Sequence, residues 1–334
     1  MSQHYLPFIL KKKFFSLALV FSLALNVVGI AFAFLYVKEH ARHQALRKEK
    51  ASLEKNLGFS THGKRIIQIL GSGVIGKYSF NSHLDGKQDF YAFQAPVDLD
   101  ESKSLNYTLL VYLHGMGSTY LEPFVALPGR TEALAVDLLK DNPRLAILSC
   151  SYRKEASWGN PSATSDIIQN IRQVMQSYPF KNIVLMGTSM GGCVALNLAA
   201  TAPEDIKSII SGVVSMEAAG DLKAVWERTG DKLVSSAIET ALGGTPDQVP
   251  EAYKKHSFIA NIEGLPKTVK VYLLSSKSDK VIPPALQLAI VNALSQRSIT
   301  YRLVEVEGEH QIPEAKYYAD GYKFVLGTLP AVGR

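Results

Sequence analysis

The sequence predicts an α/β protein with a mostly parallel central sheet covered by helices on both faces. Three observations carry that prediction. From Tyr107 to Val306, short apolar runs alternate with helical patterns, the signature of strand–helix units feeding a parallel sheet. Ahead of them stand β-rich runs bounded by Gly, Asp or Pro, at Ile66–Leu70, Val74–Phe80 and Phe90–Gln94. In the middle of the chain, the apolar run Ile183–Met186 leads at once into Gly187-Thr188-Ser189-Met190-Gly191 and then a small-residue helical pattern through Ala195, Ala199 and Ala200. That is a strand, a sharp turn and a helix, with a serine at the apex.

Bulk properties bound the answer. A chain of 334 residues holds one large domain or two small ones, and its 47% apolar and 20% charged residues are ordinary for a globular protein. The two cysteines, Cys150 and Cys193, each lie in an apolar stretch. They read as buried thiols, not as a disulfide framework. The net charge of +6 is largely local, from Lys11–Lys13 and the basic stretch Lys38–Lys55. Those charges flank an apolar segment, so they read as membrane-flanking and no nucleic-acid partner is expected.

That segment, residues 14–37, is interrupted only by Ser16, Ser22 and Asn26 and carries no charge. As a helix of 24 residues it reaches about 36 Å, more than a bilayer core of about 30 Å. After a short tail (1–13) it reads as a transmembrane signal anchor. The alternative is a signal peptide cleaved after Ala31-Phe32-Ala33, but apolar residues continue to Val37. The positive charges on the two sides do not favour the usual orientation. The short tail and the tight lysine cluster set the expectation that the rest of the chain lies outside the cytoplasmic membrane. Residues 38–57 lack Pro and Gly and read as a helical stalk ending at Gly58. The main domain is then 58–334.

Within it, Gly71-Ser72-Gly73-Val74-Ile75-Gly76 matches G-x-G-x-x-G but is followed by the strand-like Lys77-Tyr78-Ser79-Phe80. A phosphate loop needs a helix there, so this is a hairpin turn. The expected series continues with strand Tyr107–Leu113, helix Arg130–Leu139, strand Leu145–Ser149, helix Ser165–Ser177, the serine turn with its helix, and strands Ile206–Val214 and Thr268–Leu274. Helix Pro284–Leu294 and strand Thr300–Val306 complete it. Between 217 and 266 the alternation lapses. Leu222–Leu242 reads as helical and Gly243–Pro250 as loop, a small helical cap inserted after the strand that follows the serine.

A serine nucleophile needs a base and an acid to orient it. Downstream of Ser189 stand two histidines, His256 and His310. His310 follows a strand in Gly308-Glu309-His310, where catalytic loops sit. His256 reads as a surface histidine on a helix. Asp279, in the loop after Thr268–Leu274, is the acid; Asp221, Asp231 and Asp247 fall in the irregular segment. An oxyanion hole needs backbone N–H groups. Met190 supplies one at a helix N-terminus. The glycine-rich turn His114-Gly115-Met116-Gly117 supplies the other, from Met116 or alternatively Gly115, with His114 shaping the loop.

In this order the four elements resemble the α/β-hydrolase superfamily, from about Asp89 onward. The Gly-x-Ser-x-Gly turn is similar to its nucleophile elbow, and the order Ser, Asp, His is that of its triad. Ser151-Tyr152-Arg153 with Ser157-Trp158-Gly159, Pro250-Glu251-Ala252-Tyr253 with Ser257, and the Asp-x-Val-x-Pro run at Asp279 are similar to the prolyl-oligopeptidase-like branch. Two features depart from it: no β-propeller part precedes the hydrolase part, and no acidic pair stands ready for a substrate's free amino terminus. The resemblance implies a serine hydrolase; joined to the anchor read from residues 14–37, it sets the expectation of a membrane-anchored hydrolase of small-molecule esters, working without cofactor or metal. A short-peptide peptidase and a non-catalytic binding protein of the same fold are the alternatives.

Overall fold

The structure, a computed structural model, describes residues 66–70, 73–96, 107–127, 132–153 and 155–327. The expected tail, the 14–37 span and the 38–57 stalk lie outside the described residues. Among the described residues, no helix is long and apolar enough to cross a membrane.

One sheet organises the domain. Its strands are β1 (Ile66–Leu70), β2 (Gly73–Asn81), β3 (Gln88–Gln94), β4 (Tyr107–Leu113), β5 (Leu145–Cys150), β6 (Phe180–Thr188), β7 (Ile210–Met216), β8 (Lys270–Ser276) and β9 (Tyr301–Val306). They lie in the order β1-β2-β3-β5-β4-β6-β7-β8-β9. β1, β2 and β3 pair antiparallel, and β3 joins β5 antiparallel. From β5 to β9 every pairing is parallel. β1 meets β2 with Leu70 opposite Gly73, the hairpin expected in place of a phosphate loop. β4 and β5 are buried at every position, because helices cover both faces of a parallel sheet.

The helices are α1 (Leu134–Lys140), α2 (Pro161–Met175), α3 (Met190–Thr201), α4 (Glu204–Lys207), α5 (Leu222–Arg228), α6 (Lys232–Leu242), α7 (Pro250–Lys255), α8 (Phe258–Asn261), α9 (Pro284–Gln296) and α10 (Ala315–Val325). Asn160 caps α2 by accepting the Ala163 N–H at 3.0 Å, with Pro161 at the first helical position. All of α3 except Thr201 is buried, as expected of a helix apolar all round.

Two expectations are corrected, and three further helices appear. The strand expected from Ile206 begins at Ile210, because Glu204–Lys207 forms a helical turn first. The helical stretch 222–242 is two helices. It breaks at Thr229-Gly230, where the Gly230 N–H donates to Lys280 O at 2.7 Å, and Asp231 restarts it by accepting the Leu233 N–H at 2.8 Å. The Gly243–Pro250 loop is followed by two short helices, α7 and α8. They belong to the inserted segment, and Phe258, Leu222, Val225 and Ile238 join the main core. Helix α10 is absent from the expected series; Gly321 lets it lie against Val214 and Tyr272.

Candidate active site

Ser189 is the first residue after β6 and the residue before α3, with φ 55° and ψ −120°. A side chain in that region is strained, and its surroundings hold it there. The Ser189 N–H donates to Met216 O at 2.8 Å. A Cβ on Gly191 would stand 1.9 Å from Leu113 O, and one on Gly187 2.4 Å from the Gly191 carbonyl carbon. Backbone therefore crosses backbone around the serine, which is why both positions are glycine.

His310 Nε2 lies 2.9 Å from Ser189 Oγ, and its Nδ1 lies 2.6 Å from Asp279 Oδ2. A carboxylate can only accept, so Nδ1 carries the proton and Nε2 is left to accept from the serine hydroxyl. Asp279 is 4% exposed. Its other oxygen accepts the N–H groups of Val281 and Ile282, each at 2.8 Å. The loops after β8 and β9 are joined by their backbones: the Lys277 N–H donates to Val306 O at 2.9 Å and the Ser278 N–H to Gly308 O at 3.0 Å. Those bonds bring two residues 31 apart in the chain into contact.

The glycine-rich turn after β4 abuts the serine: a Cβ on Gly115 would meet Thr188 O at 3.5 Å and Ser189 Cβ at 4.0 Å. Its N–H groups can be accounted for one by one. Gly115 N–H donates to Glu122 Oε2 at 3.2 Å and Gly117 N–H to Glu155 O at 2.8 Å. The Met116 N–H has no acceptor among the described residues. Of the two N–H groups left open by the sequence, Gly115's is thus engaged and Met116's is not, among the described residues. Met190 opens α3, where helix N–H groups have no partner within the helix.

His114 is buried, with Nδ1 2.8 Å from Gly115 O and Nε2 3.3 Å from Ser151 O. It stacks on Tyr152 at 4.4 Å between ring centroids. Burial pushes its pKa down, so it shapes the loop as a neutral ring. His256 is not the surface histidine expected. It is 6% exposed, ends α7, and shares a water-sized cavity with Trp158, Val194 and Asn197. Its distance in sequence from any strand end hid this, since the tight packing of α7 and α8 on α3 is tertiary. Cys150 and Cys193 are free and buried, and burial pushes both thiols up to about 12.

Three functional neighbours escaped sequence reasoning. Glu122 is buried and accepts Tyr112 Oη at 2.6 Å as well as the Gly115 N–H. The Tyr152 hydroxyl donates to His114 O and so ties the loop after β5 to the oxyanion turn. Glu217, directly after β7, places Oε2 2.8 Å from the Gln311 nitrogen and 3.5 Å from His310 Nδ1. Glu217, Asp279 and His310 offer ligand atoms within 4.8 Å of one another. With Nδ1 protonated toward Asp279 and Nε2 facing Ser189, however, the ring presents no lone pair to a metal ion there.

Fold and site together define the class: an α/β-hydrolase fold carrying a serine, histidine and aspartate in hydrogen-bonded series. A family model described as alpha/beta hydrolase fold matches residues 149–247. No curated protein matches the sequence. Among solved structures, the chain is similar to a puromycin-hydrolyzing peptidase of Mycobacterium tuberculosis (TM-score 0.60, 16% identity, 78% of this chain and 40% of that one). It is also similar to the fluorophosphonate-binding serine hydrolase F of Staphylococcus aureus (TM-score 0.56, 16% identity, 77% and 98%). A third is an S-formylglutathione hydrolase of Agrobacterium tumefaciens (TM-score 0.55, 15% identity, 79% and 97%). The chain thus spans well under half the length of the peptidase and nearly the whole length of the other two. At 15–16% identity these likenesses are likenesses of fold.

Proposed function

We propose that this chain is a serine hydrolase that cleaves carboxylic esters through an acyl-enzyme. The observation that carries the reading is the series Ser189 Oγ, His310, Asp279 at 2.9 and 2.6 Å, facing the unpartnered Met116 N–H. Ser189 Oγ attacks the ester carbonyl while His310 Nε2 takes its proton. The oxyanion is held by the N–H groups of Met116 and Met190, aimed where charge develops. His310 returns the proton to the leaving alkoxide, and the alcohol departs. Water, deprotonated by the same nitrogen, attacks the acyl-enzyme; the acyl–Oγ bond breaks, His310 returns the proton to Ser189 Oγ, and the acid is freed. Asp279 holds the ring's tautomer and stabilises the imidazolium.

Ester cleavage is favoured by the likeness, over nearly its full length, to the S-formylglutathione hydrolase, whose named substrate is a thioester. Amide cleavage of short peptides is the second reading, favoured by the fold's similarity to the puromycin-hydrolyzing peptidase. Against it, the carboxylates of Asp279 and Glu217 are both engaged with His310 and its loop, so neither is free to hold a substrate's amino terminus.

Residues 14–37 would anchor the enzyme in a membrane as a single-pass span, with the hydrolase part extracytoplasmic. Membrane fractionation with protease protection tests this, and protein recovered wholly in the soluble fraction would overturn it. For the chemistry, Ser189→Ala is expected to abolish labelling by a fluorophosphonate probe and to lower ester turnover by on the order of 10⁶-fold. Labelling that survives in a folded Ser189→Ala protein would sink the assignment. A panel of p-nitrophenyl esters and aminoacyl amides then separates the two substrate readings.

A further inference from the structure

Asp279 is not the only carboxylate facing the imidazole. Glu217 stands at the end of β7, between the strand that delivers Ser189 and the strand that delivers Asp279. It is 1% exposed and holds a left-handed φ of 47°, fixed by its N–H donating to Leu274 O at 2.8 Å. That backbone turns the side chain toward the base. Oε1 accepts from the Ser276 hydroxyl, Oε2 accepts the Gln311 N–H at 2.8 Å, and Oε2 lies 3.5 Å from His310 Nδ1.

A buried negative charge is costly unless something gains from it. Ser276 and Gln311 are neutral donors. A glutamine at 217 would satisfy both, its carbonyl accepting the Gln311 N–H and its amide donating to Ser276 Oγ. Among the described residues no lysine or arginine pairs with Glu217, and the group whose positive form benefits is His310. The groups facing His310 are Asp279 from the loop after β8, Glu217 from the loop after β7, and Ser189 from the elbow. In its own loop, Glu309 is exposed and lies 4.0 Å from Lys280 Nζ.

We propose that Glu217 is a second acid of the triad, a positioning residue that holds the His310 loop, shares the imidazolium's charge with Asp279, and accepts the Nδ1 proton's hydrogen bond when Asp279 is removed. The ring needs to shift by less than an ångström for its 3.5 Å separation from Glu217 to become a hydrogen bond of about 2.8 Å. The idea rests on the serine-hydrolase reading for its catalytic consequence and on geometry alone for its electrostatic one.

The test uses the full chain and p-nitrophenyl esters. With a second acid, Asp279→Ala lowers kcat/KM by no more than about 10²-fold, where a triad with one acid loses about 10⁴-fold. Adding Glu217→Gln to Asp279→Ala brings the loss to the roughly 10⁴-fold of a triad without an acid. Glu217→Gln alone moves the acid limb of the kcat/KM profile to lower pH with KM little changed, and Glu217→Asp, whose shorter arm withdraws the charge, moves it the same way by less. An Asp279→Ala protein that by itself already loses about 10⁴-fold, or acid limbs that superimpose on wild type, would overturn the proposal. Histidine ¹⁵N NMR follows the His310 titration without turnover. A downward shift in Glu217→Gln combined with an inert, unlabelled wild type would reject the hydrolase reading but keep the charge-sharing. An unshifted resonance in an active enzyme would reject Glu217. Glu217→Asp supplies the same comparison if Glu217→Gln does not fold.

Discussion

Ser189 and Glu217 occupy equivalent places on neighbouring strands. Thr188 pairs with Met216, so each is the first residue beyond its strand. Both have left-handed φ, 55° and 47°. Each donates its N–H to a carbonyl near the end of the next strand, Met216 O and Leu274 O, both at 2.8 Å. Both aim a side chain at His310. Yet one turn is flanked two residues away by glycines and the other by Ser215 and Ala219. The cause is the path of the chain beyond each turn. After Ser189 the chain enters α3 at once, beneath Leu113 O, and no Cβ fits there. After Glu217 it runs through Ala218 and Ala219 to a separate helix and crosses no backbone so closely. Strain at a functional residue therefore leaves a mark in the sequence only where it is accompanied by crowding.

That contrast can be broken from either side. The largest effect is expected at Gly191→Ala, where the new Cβ meets Leu113 O at 1.9 Å. Because neither backbone can yield, we expect a loss of about 3–5 kcal/mol in stability, read by denaturant unfolding, together with loss of probe labelling. The matching position after Glu217 already carries the methyl of Ala219. Next comes Gly192→Ala, where the two turns touch: its Cβ would meet Ala218 Cβ at 2.6 Å and Ser215 Oγ at 2.8 Å. A cost of about 1–3 kcal/mol is expected, and adding Ala218→Gly should relieve part of it, the contact with Ser215 Oγ remaining.

The smallest effects are pH-dependent. Burial raises the Glu217 carboxyl above its usual range, so its stabilising contribution is complete at low pH and is lost as pH rises through the folded-state value. Glu217→Gln should therefore raise Tm at neutral pH, and the gain should vanish in acid, even as it impairs catalysis. Equal Tm differences at both ends of the pH range would contradict this. His256 provides the opposite slope. Burial lowers it from 6.5 to about 4, so stability falls as pH drops from about 6.5 toward 4, and His256→Gln should flatten that stretch of the Tm profile.

Much of the site was legible because its constraints are local. Gly187 and Gly191 advertise the crowded turn, Met190 the helix start, and His310 and Asp279 each come after an apolar run that could only be a strand. Asp221 and Asp231, set aside as acids, cap α5 and α6, the role their placement before helical patterns implies. Other features were not legible. Glu217 reads as the first residue of an insertion, with no motif around it. Helix α10 hides its apolar face in Tyr318, Tyr322 and Phe324, interrupted by Gly321, a residue poor in helix propensity. His256 sits on a polar-looking helix whose burial depends on α3.

The sequence by itself determined most element types, the serine turn and the chain order of serine, aspartate and histidine, because turn sterics, capping and strand patterning act over a few residues. Only the tertiary structure decided which groups meet. Sheet order and register bring loops 121 residues apart to within 2.9 Å, leave Met116 with the free N–H, and set a second carboxylate beside the imidazole. Those outcomes depend on which strands become neighbours, and no short stretch of sequence carries that information.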